Sequence, residues 1–312
     1  MAQCGQLTLG APRAVGFLLA LGLFLLVGCS GGESEDERTQ PAAGSAAQPP
    51  PAPAWLGGQA EYARSLGETL RYEDASFASV RVIGPQGDRF VNLDEQGVLA
   101  LTFLARDTAR AWYEELAITA ISSSGRSAPP TDSLLGRPFV LLFDARGRVE
   151  TLEAPAVPTD SLEIVEPGLV FAGFFLPLPE EPLEPGLAWS DSVVRTLPRS
   201  PSGTIRLESI GRYHVVGDTL ILDESVLVVE YERSLTYGAE GGVAVRAEEA
   251  VLSLKGSEEG RFLFAPVSGR MLGREYSGTL RGVIGPAAGG RGGTVREFYE
   301  YRGTTSLEGG KP

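Results

Sequence analysis

Cysteine is almost missing from this chain of 312 residues, which has only Cys4 and Cys29. Both precede residue 30, so no disulfide can staple the remainder, and its fold must rest on apolar burial alone. Histidine occurs once, at His214, and lysine only at Lys255 and Lys311. One imidazole cannot supply a multi-histidine metal centre, so no metal and no cofactor is expected, and His214 reads as an ordinary strand residue. Neither lysine completes a Ser-x-x-Lys pair, and Gly309-Gly310-Lys311 has no following helix to make a phosphate loop. The nearest string to a nucleophile elbow, Ser122-Ser123-Ser124-Gly125, has Ile121 where the first glycine belongs. Basic residues number 27 against 40 acidic, for a net charge of −13. That balance excludes nucleic acid as a partner and gives the body no attraction to anionic membrane surfaces. The acidity serves solubility or, alternatively, cation binding.

One long apolar run is present, Ala14 to Gly28, preceded by a single positive charge at Arg13. It falls short of the roughly 20 residues needed to span a bilayer, and an acidic stretch, Glu33 to Glu37, follows it. Residues 1–28 therefore read as a secretory signal. The tetrad Leu26-Val27-Gly28-Cys29 resembles the lipobox of bacterial lipoproteins. The resemblance implies diacylglyceryl transfer to the Cys29 thiol, cleavage after Gly28 and acylation, with palmitate for example, of the new amino terminus. Several acyl chains, at ~0.8 kcal/mol per buried methylene, hold far more durably than one. Ser30 stands where an Asp would favour the inner membrane, so the resemblance implies an outer-membrane anchor facing the periplasm. An uncleaved anchor, or ordinary export with Cys29 incidental, is the alternative.

Residues 29–54 form an acidic and then Pro/Ala-rich linker with no apolar period, a coil spanning roughly 25–30 Å and more where its prolines stiffen it. The folded part is expected over 55–307 as one β-rich domain, with 308–312 a tail. Trp55 to Leu70 is ambiguous: Ala60 to Leu66 could form two turns of helix, with Tyr62 and Leu66 at i,i+4. Strand signals then dominate. Arg89–Leu93 and Val98–Leu104 flank Asp94-Glu95-Gln96-Gly97, which reads as a hairpin turn. Arg137–Phe143 and Arg148–Glu153 flank Asp144–Gly147, a tight turn with Asp first and Gly last. A related unit spans Gly260 to Glu275, so two similar halves, about 70–155 and 186–307, are expected, or else two independently typical hairpins. Alternating runs in 203–237, 242–255, 276–284 and 295–304 indicate antiparallel strands with one wet face.

Between the halves, Leu169 to Leu178 is apolar and aromatic, fenced by Pro167, Pro177 and Pro179. A short helix-like segment against the inner face of the sheet is the preferred reading; a buried strand or aromatic loop is the alternative. The expected fold is all-β, with little helix: a large curved antiparallel sheet or half-barrel around this central segment. At Gly186–Trp189, Tyr213 to Thr219 and Phe262 to Gly269, the domain resembles uncharacterised β-rich bacterial lipoproteins. It is more faintly similar to the lipoprotein-carrier class, which implies a curved sheet that cups an acyl chain. No catalytic residue carries over from either.

Acidic doublets occur at Glu114-Glu115, Glu180-Glu181, Glu248-Glu249 and Glu258-Glu259. Strand neighbours point to opposite faces, so these are expected on solvated surfaces and not as a converging acid pair. The aromatic set is either core or the lining of an apolar cup, with Phe139, Phe143, Phe171, Phe174, Phe175 and Trp189 as candidate ligand contacts. The expectation is thus a non-enzymatic, lipid-anchored envelope protein of binding or structural type, with a lipid or other apolar ligand. The alternative is an interaction module docking an envelope protein through a sheet edge.

Overall fold

A computed structural model describes residues 59–85, 87–123, 131–156, 169–198, 204–240, 250–286 and 294–308. The signal, Cys29, the linker and the doublet Glu248-Glu249 lie outside the described residues. Among the described residues eleven strands follow in chain order. They are β1 (Thr69–Gly84), β2 (Gly87–Phe103), β3 (Thr108–Ser122), β4 (Phe139–Phe143), β5 (Val149–Glu153) and β6 (Ala188–Pro198). The rest are β7 (Thr204–Ile221), β8 (Glu224–Glu240), β9 (Ala250–Ala265), β10 (Arg270–Pro286) and β11 (Val295–Leu307). All pair antiparallel in one sheet of order β5-β4-β3-β2-β1-β11-β10-β9-β8-β7-β6. The run β1–β5 joins the run β6–β11 through β1 against β11, for instance Val80 opposite Tyr299.

Side-chain alternation decides which face turns in. On β8, Leu227, Val229, Tyr231 and Arg233 are buried, whereas Glu230, Glu232 and Ser234 are exposed. On β9, Leu254, Glu258 and Phe262 point in, and Lys255, Glu259 and Arg261 point out. The sheet therefore has one dry, inward face and one charged, wet face, as the alternation predicts. Bulges between Val98 and Leu99, Val215 and Gly217, and Met271 and Gly273 add the local twist that lets so wide a sheet roll up.

The roll stops short of a closed barrel, since β5 and β6 share no backbone pairing. Side chains bridge the two edges instead. Arg195 Nη2 donates to the Val149 carbonyl at 2.9 Å, and Arg148 ion-pairs with the buried Asp191 carboxylate.

Leu169 to Leu178 lies against the inner face, as expected, but 169–175 form consecutive turns in place of a helix. Ala172 N bonds Leu169 O at 2.9 Å and Phe174 N bonds Phe171 O at 3.2 Å. Gly173 then takes a left-handed φ of +80° that ends any helical run. The turn at Asp144–Gly147 forms as read, with Gly147 at φ +78° and the Asp144 carboxylate accepting from Arg146 N and Arg148 N.

Two local expectations are corrected. Asp94–Gly97 is no turn: β2 runs straight through it, and its hairpin partner is β1. Gly97 instead sits beside the Val98/Leu99 bulge, where a Cβ would come within 2.6 Å of the Glu115 carbonyl. Tyr62 to Leu66 is not helical either, because tertiary bonds take its backbone: Ala63 N reaches Gly269 O at 2.9 Å.

Candidate functional site

Five of the six candidate ligand contacts come together inside the sheet. Phe139 and Phe143 project inward from β4, and Phe171, Phe174 and Phe175 come down from the central turns. Ring centroids lie 5.2 Å apart for Phe139–Phe171, 5.0 Å for Phe143–Phe175 and 4.9 Å for Phe174–Phe175. These are steeply inclined, edge-type contacts that fill space and add to area burial. Tyr62 closes the cluster from the entering segment, its hydroxyl donating to Leu176 O at 3.0 Å. Trp189 stands apart on β6, stacked on Tyr213 at 5.3 Å, with its indole N–H donated to Pro177 O at 2.9 Å.

Next to this apolar half lies a buried charged layer. Glu258 Oε1 accepts from Arg274 Nη2 at 2.7 Å, Tyr231 OH at 2.8 Å and Arg233 Nη1 at 3.3 Å. Burial works to raise the Glu258 carboxyl, but Arg274 and Arg233 outweigh it and hold the group below its ordinary value. The Arg233 guanidinium lies 4.5 Å over the Tyr231 ring, and Arg274 lies 4.1 Å over Tyr276. Arg233 also donates to Tyr213 OH and to Gly173 O, while its Nη2 is buried without a hydrogen-bond acceptor among the described residues.

Across the interior sit Asp74 and Glu95. Burial pushes the Glu95 carboxyl up to about 7, helped by the charge of Asp74 and opposed by a bond from Tyr113 OH. Burial also raises Asp74, against a hydrogen bond from Thr305 and the pull of Arg274. The expectation that the acidic doublets are solvated therefore fails at Glu258, although Glu114, Glu115, Glu180, Glu181 and Glu259 are exposed. The missed signal was phase: Glu258 shares the register of Leu252, Leu254 and Phe262, and Arg233 that of Val229 and Tyr231. A charge on the apolar phase of a strand marks a buried ion pair.

A cavity of about 110 Å³ opens where the rolled edges meet. Its apolar wall includes Phe171, Phe175, Val193 and Leu207; its polar wall includes Arg148 paired with Asp191, Arg233 paired with Glu258, and Arg195. Phe139, Phe143, Phe174 and Trp189 do not border it. His214 is an exposed outward residue of β7. Among the described residues no three His, Cys, Asp or Glu side chains converge as metal ligands.

No protein-family model and no curated sequence matches the chain. Solved structures give distant overlaps. Neisserial surface protein A shares 9% identity over 76% of this chain and 96% of its own, at a TM-score of 0.22. OpdQ of Pseudomonas aeruginosa shares 7% identity over 78% of this chain and 100% of its own, at 0.25. An outer membrane channel of Pseudomonas putida F1 shares 7% over 79% and 97%, at 0.24. Scores this low do not establish a shared fold. The polarity of the sheet is in fact the reverse of a membrane-spanning barrel, whose outward band is apolar. Here Arg212, His214, Glu230, Glu232, Arg261 and Glu275 flank an open groove on the outward face.

Proposed function

We propose that the chain is a non-enzymatic cell-envelope protein, anchored by lipid on Cys29 at the outer membrane, whose domain binds an amphiphile at the seam between β5 and β6. The carrying observation is the two-sided cavity: phenylalanine and aliphatic groups on one wall, and on the other three guanidinium groups against the two carboxylates of Asp191 and Glu258, which leaves one net positive charge. Such a site suits an anionic group joined to a short hydrocarbon part. Its volume of about 110 Å³ is below the ~150 Å³ of a cavity that takes benzene, so it buries only a head group or a chain end. The aromatic cluster beside it is filled by its own rings, while Arg233 is held by Tyr213 OH, Gly173 O and Glu258.

The test is organic extraction and mass spectrometry of the purified mature chain, followed by thermal unfolding with fatty acids and with the matching alcohols. A co-purifying amphiphile, and a rise in melting temperature with the acids that exceeds that with the alcohols, supports the reading. No bound lipid and no shift removes it. Cys29→Ser tests the anchor separately: the protein should leave the membrane fraction, and continued association refutes lipidation. One observation favours a second reading, docking of an envelope protein by strand addition. β6 pairs only with β7, and its other edge has no backbone partner among the described residues. A defined crosslinked protein adduct from a residue of β6 in intact cells would favour it.

A further inference from the structure

Four turns lie at one end of the sheet: 104–107, 144–148, 222–223 and 266–269. The segment that enters from the linker side, from residue 59, runs along this same end. Ala63 N bonds Gly269 O at 2.9 Å, and Arg64 donates to Arg106 O at 2.7 Å and also to Asp144 O. Ser268 N reaches the Glu224 carboxylate at 3.0 Å, which ties two of the turns together. The result is one continuous rim, and it leaves aliphatic side chains in solvent. Leu220 is 75% exposed, Leu222 71%, Leu66 67%, Val267 66% and Leu104 53%. Leu222 also holds a left-handed φ of 50° in a two-residue turn where Asn or Gly is the ordinary choice. A leucine at that tip is unfavourable for the turn itself, so local folding does not account for it.

We propose that this rim rests in the interfacial layer of the membrane that carries the anchor, with Leu104, Leu220, Leu222 and Val267 seated among the lipids. The proposal rests on the lipid-anchor reading, because the occupant is argued from where the linker meets the fold. A tether of roughly 30 Å is shorter than a strand of 17 residues, about 56 Å at ~3.3 Å per residue. At this mean extension the tether keeps residue 59 near the bilayer, so the rim it runs along meets the lipid at high effective concentration. Apolar contact and not charge drives the seating. The chain is acidic on balance; among the rim carboxylates Glu68, Asp144 and Glu224 are engaged by Arg270, Arg146 N and Ser268 N, while Asp107 and Asp223 stand exposed in the same turns as Leu104 and Leu222.

The test replaces the native anchor. The chain from residue 30, which lacks cysteine, is held by an amino-terminal histidine tag on phosphatidylcholine vesicles containing a nickel-chelating lipid. A polarity-sensitive fluorophore is attached at Leu222→Cys or, as the opposite-end control, at Ile121→Cys, where the native side chain is 62% exposed. The proposal expects a blue shift and quenching by brominated lipid at 222, with neither at 121. Serine at 104, 220, 222 and 267 together should weaken retention on the vesicles after imidazole release by about tenfold or more. Equal responses at both labels, no response at 222, or unchanged retention of the serine variant would overturn it. The vesicle experiment does not depend on acylation. The mass of the amino-terminal peptide of the full chain reports the Cys29 anchor independently, so each reading can fail alone.

Discussion

Replacing Glu258 by Gln should damage the interior more than any other single polar change. The carboxylate is buried and faces two guanidinium groups, with N···O separations of 2.7 Å to Arg274 and 3.3 Å to Arg233. With charge centres about 4 Å apart and an effective dielectric near 20, each pair is worth about 4 kcal/mol before desolvation is subtracted. Gln keeps the shape but leaves two buried cations facing a neutral group, and breaking a buried pair this way costs about 3–5 kcal/mol. That is a large part of the 5–15 kcal/mol that holds a typical domain together. Urea unfolding followed by tryptophan fluorescence measures it. The pH dependence supplies a second reading. Glu258 is depressed in the folded state, so its contribution is present above the unfolded carboxyl value and is lost as pH falls through the lower, folded one. The gap between parent and Glu258→Gln should therefore shrink in acid below about pH 4.5. A triple variant, Arg233→Met, Glu258→Leu and Arg274→Met, should be more stable than the single change, since apolar replacement removes the uncompensated charges. A loss below about 1 kcal/mol for Glu258→Gln, or a gap unchanged in acid, would refute the reasoning.

A second carboxylate of the interior, Glu95, has the opposite sign. Glu95 is raised to about 7, so folding favours its protonated form; its contribution is fullest below the unfolded value and is lost as pH rises through 7. Glu95→Gln should flatten that fall and be more stable than the parent at pH 8 by about 2–3 kcal/mol, and equal stability there would contradict the burial argument. Gly173→Ala places a Cβ within 2.1 Å of Arg233 Nη1 at a left-handed φ, so denaturation should show a loss of at least about 1–2 kcal/mol. At the seam, Asp191→Asn removes the partner of Arg148; amide exchange in β5 and β6 should quicken while β9 and β10 stay protected. Uniform exchange across the sheet would show that the edges are not held by that pair.

How far the amino-acid order alone reached can be judged from particular stretches. Strand content and the wet outer face were readable, because period-two alternation in 203–237 reports a sheet with one solvated side. The turn at Asp144–Gly147 was readable too, as was the related unit Gly260 to Glu275 that turns at 266–269, since turn chemistry is local. Gly97 misled because glycine serves turns and bulges alike, and only the pairing of β2 with β3 tells which. The fate of Leu169–Leu178 was likewise open: short apolar runs have no decisive period, and the left-handed Gly173 became explicable only with Arg233 behind it.

The lipobox-like tetrad is a property of linear order, as is the absence of disulfides, and both stand without any fold. The rest is tertiary. Which strands become the two edges, which carboxylate of a doublet turns inward, and which five phenylalanines meet all depend on register between segments far apart in the chain. Register is set by the summed burial of a whole face and not by any one stretch, so the seam, its three arginines and the leucine-bearing rim exist only once the sheet has rolled.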